Sequence, residues 1–137
     1  MMKKWLILFI LAAPAFSCNN KTGEQVPVTD HEVARAFVRD LLDNKFNEAE
    51  QFLLKDETNM QMFERFKAQY NKQDKDILQR YKESDIIVHE TNYVVADSIF
   101  IYKYSNSFKP ANKSVLKLVR IDGKWLVDLK YTFSGNL

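Results

Sequence analysis

The chain has 137 residues, with 20 Lys and Arg against 18 Asp and Glu, a formal net charge of +2 and a single cysteine. That length suits one domain of ordinary size. The near-neutral balance, with no basic cluster, excludes the broad positive face of a nucleic-acid binder, and one cysteine excludes an internal disulfide.

The first twenty residues stand apart. Lys3 and Lys4 make a basic start, Trp5 to Ala13 is an unbroken apolar run, and Pro14, Ala15, Phe16, Ser17 and Cys18 follow. Basic, apolar and small-residue parts in this order are the layout of a secretory signal. The run falls short of the roughly 20 apolar residues that span a membrane. Two cleavage sites are open. Ala13-Pro14-Ala15 has the small-x-small pattern and would be cut after Ala15. Ala15-Phe16-Ser17-Cys18 resembles a bacterial lipobox, whose cysteine is acylated and becomes the first residue of the mature chain. Ser17 and Cys18 fit that motif, whereas Ala15 stands where Leu is usual and Phe16 is bulky. An odd cysteine in an exported chain needs an explanation. Its place after a small residue at the end of an apolar run makes Cys18 the expected lipidation site.

The expected organisation is a signal peptide over 1–17, a lipidated tether over 18–28 and an α+β domain over 29–137. Removing residues 1–17 takes away two lysines and no acids, leaving 120 residues with 18 basic and 18 acidic side chains. Asn19 to Val28 lacks apolar periodicity and contains Gly23 and Pro27, as a tether would.

Thr29-Asp30-His31-Glu32 reads as a capping box. It opens a helix carrying Val33, Ala36, Phe37 and Leu41 on one face, with Asn44 as its stop. Asn47-Glu48-Ala49-Glu50 reads as a second cap, starting a short helix with Ala49, Phe52 and Leu53. Thr58-Asn59-Met60-Gln61 is expected to cap a third helix, striped by Met62, Phe63, Phe66 and Tyr70. The polar run Asn71 to Asp76 interrupts it, and Ile77, Leu78 and Tyr81 supply another turn or two.

From Asp85 the pattern changes to strands. Ile86 opens one that runs to Val95, Asp97-Ser98 turns the chain, and Ile99 to Tyr104 is a second. Either Ile99 and Ile101, or Phe100, Tyr102 and Tyr104, can point inward. A loop is expected over Asn106 to Asn112. Val115 to Ile121 and Lys124 to Tyr131 flank Asp122-Gly123, a two-residue hairpin signal. That turn sets Ile121 opposite Lys124, Arg120 opposite Trp125, Leu118 opposite Val127 and Leu116 opposite Leu129. Lys117 then meets Asp128, and Val119 meets Leu126. Apolar pairs meet apolar pairs on one face, so the register is self-consistent.

Helices followed by a four-stranded antiparallel meander resemble the cystatin-like, nuclear transport factor 2-like superfold, in particular its small bacterial lipoprotein domains. The likeness rests on the opening helix Val33-Ala34-Arg35-Ala36-Phe37, the segment Lys45-Phe46-Asn47-Glu48-Ala49, and the hairpin from Leu118 to Val127 around Asp122-Gly123. It implies a curved sheet wrapped around helices to leave a conical cavity. The superfold hosts isomerases, dehydratases and non-catalytic domains, so it does not determine an activity.

Residues that carry chemistry are sparse. His31 falls in the first turn of the first helix and is expected to be solvated; His89 falls on a strand with no readable acidic partner. There is no HxxxH or CxxC spacing for a metal, no Gly-x-Ser-x-Gly elbow and no phosphate-binding glycine loop. No cofactor and no metal site are expected. Phe66, Tyr70, Arg120 and Trp125 are the candidate ligand contacts. The aromatic residues serve equally well as core, and Arg120 as a cation resting on the Trp125 ring. The expected function is a lipid-anchored, non-enzymatic domain of the bacterial cell envelope, periplasmic or surface-exposed. It would bind a small amphipathic ligand or a protein partner, and no nucleic acid. An isomerase- or hydrolase-like enzyme of the same superfold is one alternative. A structural module, associating as a homodimer through the outer sheet face, is another.

Overall fold

The computed structural model describes residues 25–132. The expected signal peptide, Cys18 and the first part of the tether lie outside the described residues. Helix α1 (Asp30–Leu42) begins at a full capping box, with the Thr29 side chain accepting from the Glu32 N–H and the Glu32 carboxylate accepting from Thr29. That carboxylate also takes the Val28 N–H, which fixes the residue before the cap against the helix. Asp43 caps the far end, and Asn44 turns away at φ 60°, a left-handed conformation that asparagine tolerates.

Helix α2 (Phe46–Glu50) corrects the cap expected at Asn47. Lys45 precedes it and makes no side-chain cap. Packing sets its start, because Phe46 is buried among the rings of Phe63, Phe66 and Tyr70. Helix α3 (Glu57–Asn71) is capped by Asp56, not Thr58; the Asp56 carboxylate accepts the Asn59 N–H at 2.8 Å. Phe63 and Tyr70 of its stripe are buried, and Met62 and Phe66 half-buried. Helix α4 (Lys75–Glu83) rests Ile77, Leu78 and Tyr81 against the domain. Arg39 of α1 holds its C-terminal end through the carbonyls of Ser84 and Lys82, at 2.7 and 3.0 Å.

Four strands follow, β1 (Ile86–Val95), β2 (Ile99–Asn106), β3 (Lys109–Ile121) and β4 (Lys124–Asp128). They form an antiparallel meander in the order β1-β2-β3-β4, so the class is α+β, with the helices packed on a four-stranded sheet. The hairpin register is Ile121–Lys124, Arg120–Trp125, Val119–Leu126, Leu118–Val127 and Lys117–Asp128, as the turn dictated. Two boundaries differ from expectation. β4 ends at Asp128, and Leu129 opens a single turn, α5 (Leu129–Thr132), so Leu116 and Leu129 meet in the core rather than across strands. The loop expected over Asn106 to Asn112 is a two-residue turn, Ser107-Phe108, followed by a bulge. Asn106 pairs with Lys109 and Tyr104 with Ser114, leaving residues 110–113 opposite Ser105 alone. Pro110 fits there because a bulge needs no ladder donor.

Phe100, Tyr102 and Tyr104 take the inward face of β2. Phe100 pairs with Leu118, and Tyr102 with Leu116, beneath α1 and α3. The residues around Leu53 add a parallel bridge to β4, with the Val127 N–H on the Phe52 carbonyl at 2.8 Å, which covers that edge of the sheet.

Candidate functional site

Two aromatic clusters lie at opposite ends of α1. At its start, the buried Asp30 carboxylate accepts from the Tyr93 hydroxyl and lies 2.6 Å from His31 Nδ1. The His31 ring rests on Phe100 at 4.6 Å, and Tyr93 and Phe100 pack on Trp125. The exposed Arg120 guanidinium sits 5.9 Å from the Trp125 ring. Trp125 is 8% exposed. Its outer side lines a cavity of about 370 Å³ shared with Pro27, Val28, Val33, Phe52 and Lys124.

The other end is hollow as well. A cavity of about 230 Å³ lies between the C-terminal halves of α1 and α3, helix α4 and the β2–β3 end of the sheet. Val38, Leu41 and Leu42 come from α1, Phe66 and Tyr70 from α3, and Tyr81 from α4. Tyr104, Ser105, Asn106, Lys109, Asn112 and Ser114 come from the sheet. A smaller hollow of about 100 Å³ adjoins it, sharing Leu41, Phe66, Tyr104 and Ser114 and continuing to Phe37, Phe63, Leu116 and Leu129. The bulge at 110–113 brings Asn112 to this mouth.

Burial pushes the Tyr70 and Tyr104 phenols up to about 12. Both walls therefore present neutral hydroxyls at physiological pH. Tyr70 donates to the Leu42 carbonyl at 3.2 Å, and Tyr104 meets the Ser114 hydroxyl. The Lys109 ammonium lies 5.4 and 5.5 Å from the rings of Tyr81 and Phe108. No carboxylate among the described residues lies within ion-pair distance of it.

The candidate ligand residues are thus divided. Phe66 and Tyr70 line this cavity, while Trp125 lines the one at the start of α1, with Arg120 beside its ring. Sequence reading missed Lys109 and Asn112, because it placed both in a loop with no reason to face a pocket. It also missed the Asp30–His31–Tyr93 cluster. Asp30 and His31 adjoin in sequence, but Tyr93 reaches them only through the fold. His89 meets the Ser105 hydroxyl at 2.8 Å. Ser105 is 1% exposed and belongs to the cavity lining. Among the described residues there is no group of three potential metal ligands, and no helix is long and apolar enough to cross a membrane.

No protein-family model, curated protein or solved structure matches the chain.

Proposed function

We propose that this chain is a lipid-anchored domain of the bacterial cell envelope that binds a small ligand without transforming it. Its architecture is read as a cone of the cystatin-like, nuclear transport factor 2-like kind. The observation that carries the reading is the cavity between α1, α3, α4 and the β2–β3 end of the sheet. Concave walls that join aliphatic and aromatic side chains to convergent polar groups suit a small-molecule site. The polar groups there are hydroxyls, amides and one ammonium, which orient a ligand by hydrogen bonding and charge. The anchoring part of the reading rests on the sequence from Lys3 to Cys18.

Native mass spectrometry of protein purified from its own membranes tests both parts. The expected result is an acylated Cys18 terminus and a copurifying small molecule. Ser114→Trp, which fills the cavity mouth, should release that molecule and leave the acylation unchanged. A ligand retained in full by Ser114→Trp would overturn the cavity reading.

A second reading, association with another protein, is favoured by one observation. Val94, Val95 and Ile121 are exposed, and Val95, Ile99 and Val119 are joined by the strand pairing into one apolar row on the outer sheet face. Sedimentation across a concentration series tests it; a constant monomer mass would exclude self-association.

A further inference from the structure

We propose that the cavity takes an anionic amphiphile, with its acid group at the Lys109 ammonium and its apolar tail directed towards the smaller hollow behind Phe66. The proposal rests on the reading of the cavity as a ligand site and adds the chemical class of what fills it.

Three observations carry it. First, among the described residues Lys109 is a cation without an anion. It rests on the faces of Tyr81 and Phe108, and Arg80 approaches the same Phe108 ring at 5.5 Å. Aromatic faces attract a cation but leave its charge unneutralised. An incoming acid therefore displaces no ion pair. The neighbouring Arg39 differs, since Asp43 holds it at 2.8 Å and the Ser84 and Lys82 carbonyls occupy its other donors. Second, the twelve lining residues include no aspartate or glutamate. With both buried phenols neutral, no anionic side chain in the lining opposes a bound acid. Third, the lining is polarised. Asn106, Lys109, Asn112 and Ser114 lie together on the sheet side, and the α1 and α3 side is apolar. The smaller hollow extends that apolar side into Phe37, Phe63, Leu116 and Leu129. A charged head and a short hydrocarbon tail match this gradient in the order the residues present it.

Carboxylates and phosphate monoesters share the required chemistry, and the test separates them. Octanoate, octyl phosphate, octanol and octyltrimethylammonium are titrated calorimetrically into the exported Cys18→Ala chain. The two anions should bind at least tenfold more tightly than octanol, and the cation should not bind. The ratio of octanoate to octyl phosphate then names the head group. Lys109→Met, which keeps the aliphatic stem, should weaken anion binding tenfold or more and leave octanol unchanged. Lys109→Arg should retain most of the anion affinity. Thermal melting of each variant checks folding. Octanol binding as tightly as octanoate, or anion affinity untouched by Lys109→Met, overturns the proposal while the cavity reading stands. Binding of none of the four overturns both.

Discussion

The side-chain oxygen of Asn59 accepts the backbone N–H of Leu129 at 2.7 Å. Asn59 is fully buried in the first turn of α3, and Leu129 is the residue at which β4 gives way to α5. The amide nitrogen of Asn59 donates to the Asp56 carboxylate at 3.1 Å, and that carboxylate also receives Lys130. One asparagine thus ties the cap of a helix to the end of the sheet. Asn59→Ala leaves a buried N–H without an acceptor, which costs about 1–3 kcal/mol. Urea unfolding should register that loss. Gln61→Ala, two residues on and exposed, should change stability by less than about 0.5 kcal/mol. Equal effects from both would show that the Asn59 bond contributes nothing.

The Asp30–Tyr93 bond makes stability depend on pH. Burial raises the Asp30 carboxyl, but hydrogen bonds from Tyr93 and His31 outweigh it and hold the group below the usual aspartate range. A carboxyl lowered in the folded state stabilises the protein above the unfolded aspartate value of about 3.9. That contribution disappears as the pH falls through the folded value. Tyr93→Phe should therefore lower stability at pH 7. The gap from the unsubstituted protein should narrow below about pH 4. Unfolding curves at pH 7 and pH 3 measure both. A gap of constant size would mean that Tyr93 does not bond the ionised carboxylate.

The elements legible in the sequence are those fixed locally. Thr29 and Glu32 lie three residues apart, and Asp122-Gly123 supplies both residues of its turn, so each cap and pairing follows from adjacent chemistry. The errors arose where distant packing decides. Phe46 starts α2 because three rings from α3 surround it, and no cap signal reports that. Asn59 looked like part of a cap because nothing nearby in sequence announces Leu129 as its partner. The cavity was half legible. Phe66 and Tyr70 lie on a readable helical stripe, but Lys109 enters through a bulge whose presence depends on how β2 and β3 pair. Trp125 was legible as a face and not as an environment. The hairpin register fixed its face correctly and said nothing about Tyr93 and Phe100 filling the space beside it.

Gly123 isolates the cost of backbone conformation. Asp122 and Gly123 have φ values of 50° and 78°, the two left-handed residues of a type I′ turn. A Cβ built on Gly123 meets nothing within 4 Å, so crowding by neighbours plays no part. Gly123→Ala should cost about 1–2 kcal/mol from the left-handed backbone alone. Gly123→Val should cost more, because branching at Cβ tightens the same restriction. Gly123→Asn should recover part of the loss. Thermal melts of the three variants give the order, and an alanine variant as stable as glycine would remove the turn assignment.

The proposed anchoring at Cys18 can be tested directly. Each buried methylene of an acyl chain contributes about 0.8 kcal/mol, so one chain binds a membrane marginally and two or three bind it durably. Cys18→Ala removes the thiol to which those chains attach. It leaves Ala13-Pro14-Ala15 as a cleavage site, so export should continue. The substituted protein should move from the membrane fraction to the soluble one. It should keep the melting temperature of a domain whose cap begins eleven residues later, at Thr29. Mass spectrometry of the unsubstituted protein should find a first peptide that begins at an acylated Cys18. A first peptide beginning at Phe16, or membrane association unchanged by Cys18→Ala, would show that the chain is held by some other means.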